Sequence, residues 1–328
     1  MLKVILSLSL LALISIVVGY QQLQTILSTP LQVANKTQFE VKKGIGFNQL
    51  CHQWQANKWV DACWPFQLAA KIDPTLTNLK VGLYELNNTS VISNIQKINQ
   101  GQQVNFSFTI IEGQTLRDVI NSVHNASHLH NDLKLNQLGQ QILNQDLKLE
   151  GWLFPDTYHY HNNDTASSLF KRAAKRMQET LNEAWPNRSA GLPYDSAYKA
   201  LIMASIIEKE TGLASERPLI ASVFVNRLNQ RMRLQTDPTV IYGLGEGFDG
   251  DIKRKDLRSY TPYNTYRING LPPTPIAMPS KAAILAAINP PTAKYTYFVA
   301  KGDGSHQFST TLKQHNAAVK KYILNKKN

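Results

Sequence analysis

The sequence predicts an α+β protein in which a transmembrane helix precedes a small module of strands and helices and a larger, helix-rich domain. Three features carry this prediction: an apolar run at the N-terminus, a strand–glycine–helix pattern that occurs twice in the first half, and several helical stretches with one β-hairpin in the second half. With 328 residues, of which 43% are hydrophobic, the chain is long enough for two domains with cores of their own.

The N-terminal apolar run extends from Val4 to Gly19 and is interrupted only by three serines. It is short for a membrane-spanning helix, which needs about 20 residues, but Tyr20 can extend it as an interface anchor. A cleaved signal peptide is the alternative, although no Ala-x-Ala-like cleavage site follows the run. We therefore expect residues 1–20 to be a retained anchor in the inner (cytoplasmic) membrane, with Lys3 inside and the rest periplasmic. Residues 21–38 are polar without clear periodicity and are predicted to be a linker.

The formal net charge of +12 suits an anionic partner such as a nucleic acid, a phospholipid surface or an acidic polymer. The stretch taken as the nearest candidate for a nucleic-acid arm, Lys171 to Arg176, has helical spacing beside apolar residues and is interpreted as the solvated face of an amphipathic helix. Because the chain has a predicted anchor and no basic groove motif, we do not expect it to bind nucleic acid.

Cys51 and Cys63 are the two cysteines of the chain. In an oxidising compartment a disulfide between them is expected, and two buried free thiols are the alternative.

Two His-x-His pairs, one beginning at His128 and the other at His159, lack a clear third and fourth ligand. Neither a metal site nor a cofactor is therefore expected.

A strand–glycine–helix pattern is shared by Phe39 to Phe47 and Phe108 to Leu116. In each, residues alternate as in a strand, a glycine marks a turn, and an amphipathic helix follows. Thr115 is the predicted N-cap of the second helix. Small units of this kind recur in LysM-like modules that bind cell-wall sugars, although many α+β domains share the pattern. Residues 39–135 are therefore predicted to form a LysM-like domain.

The second predicted domain, residues 145–328, is an α+β domain in which helices dominate. Its elements follow from periodicity and turn signals. They are the helices Thr165–Leu181, Ser196–Thr211, Ser215–Gln230 and Ser280–Ala287, a β-hairpin within Tyr295–Ser309, and a final helix Thr311–Leu324.

The predicted helix Ser196–Thr211 is apolar almost all round, and hence buried, until it ends in two glutamates. Glu208 and Glu210 are about 200° apart around the helix and so face different ways, with Glu208 continuing the face of Leu201. Burial and the negative end of the helix dipole both favour a protonated carboxyl, which is the form that a general acid needs. Lys209 partly opposes this effect. An ordinary ion-paired glutamate at a helix end is the alternative.

The segment Ala204 to Thr211, ASIIEKET, resembles the signature of the YceG-like family of endolytic murein transglycosylases. Seven further blocks resemble family segments in the same order, and the resemblance covers roughly residues 39–322. The blocks are Glu150–Tyr158, Val223–Leu228, Leu234–Val240, Tyr263–Tyr266, Gly270–Ile276, Asn289–Pro290 and Gly304–Ser309.

This resemblance implies an enzyme that cuts the MurNAc–GlcNAc bond of nascent peptidoglycan strands without water. One carboxylic acid protonates the leaving oxygen and then, as a base, removes the proton of the MurNAc C6 hydroxyl, which leaves a 1,6-anhydro-MurNAc end. One carboxyl suffices because the nucleophile belongs to the substrate, whereas ordinary glycosidases need a pair. Glu208 is accordingly predicted to be that acid and base. The family also implies penicillin-binding wall synthases as possible partners.

Five polar residues of the family-like blocks are predicted to orient the sugar, because amide and hydroxyl groups bind sugar hydroxyl and acetamido groups. Turn and capping roles are the alternative, above all for the two asparagines. The five are Gln235, Thr236, Asn264, Tyr266 and Asn289.

Three further carboxylates, Asp237, Glu150 and Asp156, are possible partners of the acid, so a hydrolase stays open. The alternative from another functional class is a non-catalytic scaffold that binds peptidoglycan and recruits wall synthases. A buried helix that ends in a poised acid favours the enzyme, since a scaffold needs no such group.

Overall fold

The structure is a computed structural model that describes residues 2–325, except for the side chains of residues 2–5 and 7. Residues 326–328 of the predicted second domain, and the side chain of Lys3 with its predicted cytoplasmic placement, lie outside the described part. The described chain is a mixed α+β structure, as predicted. Its helices and strands are α1 (Leu2–Leu27), β1 (Thr37–Val41), α2 (Phe47–Ala56), α3 (Trp64–Ile72), β2 (Gly82–Leu86), α4 (Val91–Gln100), β3 (Phe106–Thr109), α5 (Leu116–His124), α6 (Leu138–Leu143), β4 (Thr157–Tyr160), α7 (Ala166–Ala184), α8 (Ala197–Glu210), α9 (Arg217–Asn229), α10 (Asp237–Leu244), α11 (Arg254–Arg258), α12 (Lys281–Ile288), β5 (Tyr297–Ala300), β6 (His306–Ser309) and α13 (Leu312–Val319).

The chain divides into two compact units. Unit 1 comprises Met1–Phe106 with His159–Asn163, and unit 2 comprises Ser107–Tyr158 with Asp164–Asn328. The sequence predicts a boundary between residues 135 and 145 instead. The difference arises because β3 pairs with β4, which lies some 50 residues further along the chain, and the division falls within both strands. Periodicity along the chain does not reveal which strands pair.

The N-terminal helix α1 is longer than the sequence predicts. Within the described chain it is the one helix long and apolar enough to cross a membrane, judged by length and composition over Leu8–Leu27. Leu23 and Leu27 are buried in the core of unit 1. The linker predicted for residues 21–38 is therefore helical and packed up to Leu27, because neighbouring glutamines mask two leucines that are one helical turn apart.

Unit 1 is built around a two-stranded antiparallel sheet of β1 and β2, in which Phe39 lies opposite Tyr84. Cys51 of α2 and Cys63, just before α3, form a disulfide with their Cα atoms 5.8 Å apart. This confirms the predicted disulfide and excludes the alternative of two free thiols. The bond joins α2 to the start of α3 within the core of the unit.

The strand–glycine–helix pattern is confirmed at both places, as β1 followed by α2 and as β3 followed by α5. Gly44 and Gly113 make the turns, with positive φ angles of 87° and 77°. Thr115 caps α5 as predicted, since its hydroxyl accepts from the amide of Asp118. The two strands pair with different partners, β2 and β4, so the pattern is a local likeness that does not establish two copies of one module.

Unit 2 is organised around α8, whose residues 200–207 are all buried. This helix packs against α9 and α12, which also contact each other. Ser196 caps its start, and the helix ends at Glu210 because Thr211 is extended. The predicted hairpin is confirmed as β5 and β6, with Phe298 opposite Phe308. The core of unit 2 thus holds the C-terminal turn of α8, and its two glutamates, at a fixed position.

Candidate active site

The last turn of α8 directs its two glutamates to different neighbours, as their spacing predicts. The side chain of Glu208 is only 5% exposed, and its Oε1 accepts from Nη2 of Arg217 at 3.0 Å. Its Oε2 accepts from the backbone amide of Ser280 at 2.9 Å and from the Ser280 hydroxyl. Arg217 is the first residue of α9 and Ser280 is the N-cap of α12, so one carboxylate links three helices.

These contacts make Glu208 a buried, ion-paired carboxylate, which is the alternative that the sequence left open. Its two oxygens are contacted by one guanidinium and by two hydrogen-bond donors of a single serine. Arg217 also lies 3.9 Å from the carboxylate of Glu112, and Lys209 donates to the carbonyl of Gly113 at 3.1 Å. Glu208 is thus engaged with structural partners on its side of the helix.

Glu210 faces a cleft of about 470 Å³ on the other side of α8. Its carboxylate accepts from the hydroxyl of Thr236. Burial raises the pKa of Glu210 to about 7, and the neighbouring carboxylate of Asp237 adds to the increase, while the Thr236 hydroxyl and Arg227 oppose it. A carboxyl with this pKa exists in both protonation states near neutral pH, as an acid–base group requires.

Three of the five predicted sugar-binding residues, Gln235, Thr236 and Tyr266, line this cleft with Glu210. Gln235 has a positive φ of 52°, which is uncommon outside glycine and is held by the bond from its amide to the carbonyl of Thr265. Thr236 is buried and donates to Glu210. The hydroxyl of Tyr266 donates to Oδ1 of Asp237 at 2.7 Å. Thr236, in the segment that precedes α10, therefore contacts Glu210 directly, and Gln235 and Tyr266 line the same cleft.

The other two, Asn264 and Asn289, do not line the cleft. The buried amide of Asn264 donates to the carbonyl of Ser259 at 2.6 Å and to two further carbonyls, and its oxygen accepts from the amide of Tyr266. Asn289 is the C-cap residue of α12, and its oxygen accepts from the hydroxyl of Ser189. Both asparagines adopt the turn and capping roles that the sequence left as the alternative.

Of the three additional carboxylates, only Asp237 lines the cleft. Asp156 is paired with Arg176. Glu150 is buried, accepts from the hydroxyl of Tyr242 at 2.9 Å, and burial raises its pKa to about 7. A carboxyl with a pKa near neutral is therefore found at two places in unit 2, and Glu210 is the one that lines the cleft with the predicted sugar-binding residues.

Among the cleft residues that were not singled out from the sequence, Arg227 and His306 lie in family-like blocks. Arg227 is held by bonds from its guanidinium to the carbonyls of Thr296 and Leu234, each 2.7 Å long. His306 is 2.7 Å from the carboxylate of Glu216 through Nδ1. The sequence blocks that contain them, VFVNRL and GSHQFS, resemble family segments but do not indicate which side chain faces the cleft.

The described residues include no group of three or more His, Cys, Asp or Glu side chains arranged to hold a metal ion. The cleft instead combines a carboxyl that titrates near neutral pH, a fixed arginine cation, and hydroxyl and amide groups. Such a set can bind a polar, uncharged polymer and transfer a proton to it.

A model of the YceG-like family matches residues 39–321. A Bacillus subtilis (strain 168) protein named endolytic murein transglycosylase is 35% identical over 271 residues, which cover 76% of this chain and 75% of that protein. A protein of the same name from Streptococcus pneumoniae serotype 2 is 32% identical over 194 residues, or 55% of this chain and 33% of that protein. The crystal structure of a YceG-like protein from Listeria monocytogenes matches with a TM-score of 0.53 and 31% identity, over 87% of this chain and 99% of that one. The chain belongs to the YceG-like family.

Proposed function

We propose that this protein is a membrane-anchored lytic transglycosylase that cleaves the MurNAc–GlcNAc bond of peptidoglycan strands endolytically. Relatives from two organisms carry the name endolytic murein transglycosylase, and the family match spans residues 39–321. The observation that carries the proposal is chemical: Glu210, whose pKa is raised to about 7, lines a cleft beside polar residues suited to sugar.

In the proposed mechanism Glu210 starts as the acid and protonates the oxygen that leaves MurNAc. The resulting carboxylate then takes the proton of the MurNAc C6 hydroxyl, which attacks the anomeric carbon and closes the 1,6-anhydro ring. The nucleophile is tethered to the reacting sugar, so no water has to be held on the opposite face. The hydroxyl of Thr236 favours the carboxylate form, and the desolvated surroundings favour the acid form, so the group can alternate between them.

Glu208, which the sequence predicts to be the acid, is the competing candidate. Its two oxygens are occupied by Arg217 and by both donors of Ser280, and the predicted sugar-binding residues lie with Glu210. Glu208 itself does not line the cleft. We therefore assign Glu208 the role of a positioning residue that holds α8 against α9 and α12.

The matched pair Glu210→Gln and Glu208→Gln tests this assignment, because both changes are nearly isosteric and the residues share one helical turn. We expect Glu210→Gln to reduce kcat/KM on uncrosslinked glycan strands by roughly 10²–10⁴-fold, the usual contribution of acid–base catalysis. Glu208→Gln should keep substantial activity wherever the variant stays folded. Loss of activity in a folded Glu208→Gln variant, with Glu210→Gln active, would restore Glu208 as the acid.

Mass analysis of the products tests the reaction type. The cut strands should end in 1,6-anhydro-MurNAc, about 18 mass units below a hydrolysed end, because no water is added. Reducing MurNAc ends as the main product would contradict the proposal and indicate a hydrolase in which Asp237, the other carboxylate of the cleft, acts with Glu210. Folded protein without any cleavage activity would favour the non-catalytic scaffold.

We further propose that the anchor is retained and that the units are periplasmic. α1 has the length and composition for a membrane span, and its last turns pack into the core of unit 1. Cleavage after residue 19 would leave only residues 20–27 of the helix to hold Leu23 and Leu27 in that core. N-terminal sequencing of the mature protein checks this, since a start after residue 19 would reveal a processed signal peptide. Protease protection in spheroplasts checks the orientation.

Unit 1 is proposed to be the LysM-like, glycan-binding part. Support comes from the strand–glycine–helix of β1 and α2, and from a concave surface of about 550 Å³ at their turn that includes Lys42, Gln49 and Gln53. Full-length Glu210→Gln protein carrying Gln49→Ala and Gln53→Ala should bind sacculi more weakly than Glu210→Gln alone.

Penicillin-binding wall synthases are proposed partners because they would act on the same strands, and co-purification from crosslinked membranes tests them.

A further inference from the structure

Helix α3 of unit 1 is apolar on two faces. Its inner face packs into the core of the unit, with Phe66 and Ala69 buried. Its outer face exposes Trp64 to 61%, Leu68 to 43% and Ile72 to 60%. These three side chains are spaced four residues apart and share about 80° of the helix circumference. A helix of a soluble protein normally has a polar outer face, so this stripe calls for a partner.

The stripe begins beside the N-terminal helix. α3 packs against α1, and Ile26 of α1 lines one cavity of about 720 Å³ together with Trp64 and Pro65 of α3. Because Leu23 and Leu27 of α1 are buried in the same core, the spanning helix enters unit 1 as a continuous helix. The start of α3 therefore lies next to the place where α1 leaves the membrane.

The exposed apolar part of α1 ends close to unit 1. Its exposed apolar side chains continue to Val18 and Tyr20, and two glutamines separate Tyr20 from Leu23, the first buried leucine. The rise from Tyr20 to Leu23 is about 4.5 Å at helical spacing. A bilayer that covers these exposed side chains therefore reaches within one helical turn of the packed part of α1, so the elements beside that part are held at the membrane surface.

We propose that α3 lies in the membrane interface, with Trp64, Leu68 and Ile72 among the headgroups and upper acyl chains of the bilayer that α1 spans. Lys71 is exposed on the same face, about 20° from Trp64, where its ammonium group can reach lipid phosphates. Tryptophan and lysine at the edge of an apolar surface are the usual interface residues. This inference rests on the membrane anchoring proposed above. Its consequence is a second membrane contact that fixes the orientation of unit 1 relative to the bilayer.

Tryptophan fluorescence in vesicles with acyl-chain-brominated phosphatidylcholine tests the proposal, because bromine quenches only at short range. The chain has five tryptophans, none of them in α1, and Trp54 is fully buried. In the reconstituted full-length protein we expect brominated lipid to quench part of the emission, and Trp64→Phe to remove most of that quenching. Trp185→Phe, a matched change in unit 2, should leave it in place.

Replacement of Leu68 and Ile72 by glutamine should also weaken the quenching while Trp64 is still present, which ties the effect to the stripe. Co-flotation of each variant with the vesicles is recorded in parallel. Co-flotation without quenching by brominated lipid, or equal quenching in Trp64→Phe, would overturn the placement of α3 and leave the anchor intact. Failure of the wild-type protein to co-float would instead overturn the anchor itself.

Discussion

The two sides of the last turn of α8 hold chemically identical side chains in opposite surroundings. Glu208 is 5% exposed and has a cation and two donors on its oxygens. Glu210 has one hydroxyl donor, a nearby carboxylate and an open cleft. The two share one helix, so the difference comes from what other elements bring: α9 and α12 on one side, and the segment before α10 on the other. A family signature can therefore point to one helical turn and still leave open which of its two carboxyls is to be proposed as the acid.

The largest effect on stability should come from breaking the ion pair on the Glu208 side. Arg217→Ala leaves a buried carboxylate without its cation, which costs about 3–5 kcal/mol for pairs of this kind. Glu210→Gln should leave the unfolding free energy unchanged or higher at neutral pH, because burial disfavours its carboxylate. Urea unfolding of the full-length protein in detergent compares the two variants. Equal losses would mean that both sides of the helix are structural.

The sequence could predict this comparison only up to a point. Helical spacing predicted that Glu208 and Glu210 face different ways, and the apolar pattern predicted a buried helix, because both depend on neighbours in the chain. The proposed choice of Glu210 depends on the contacts of Glu208 with Arg217 and Ser280, which are 9 and 72 residues from it. Contacts of that kind follow from tertiary packing, whereas the sequence alone predicted Glu208 from helix-end electrostatics and the family resemblance.

The fold shows the same division between local and distant causes. Caps and turns such as Thr115 and Gly113, the hairpin of β5 and β6 and the bond between Cys51 and Cys63 were predictable from short segments. The pairing of β3 with β4, and with it the boundary of the units, was not, because the two strands are joined by a long connection.

A second, smaller effect should appear in the dependence of stability on pH. Burial raises the pKa of Glu210 to about 7, above its ordinary value of 4.5, so the folded state binds a proton more tightly than the unfolded state does. The stability that this group contributes is fully present below pH 4.5 and is lost as the pH rises to about 7. Unfolding free energies of wild type and Glu210→Gln at several pH values check this, and the slope should be shallower in the variant.

Glu150 provides the matched control for this slope, since burial raises its pKa to about 7 as well but it does not line the cleft. Glu150→Gln should flatten the pH dependence of stability in the same direction. It should leave the pH at which kcat/KM begins to fall unchanged, because that limb reports the free enzyme's acid. A change in the rate profile of Glu150→Gln, without one in Glu210→Gln, would identify Glu150 as the acid.

The smallest expected effect, and the finest test of the cleft side, concerns Asp237. Its carboxylate helps to raise the pKa of Glu210 and accepts from the hydroxyl of Tyr266 at 2.7 Å. Asp237→Asn removes the charge but keeps an oxygen that can accept a hydrogen bond from Tyr266, so the cleft should keep its shape.

If Glu210 works alone, the variant should keep most of its activity, and the pH at which kcat/KM falls should move down because a like charge is gone. If Asp237 instead activates a water as the second carboxylate of a hydrolase, the same change should abolish cleavage, because the carboxylate that takes the proton from that water is gone. The pH profile and the product ends of this one variant therefore distinguish a single-carboxyl transglycosylase from a two-carboxylate hydrolase with the same cleft.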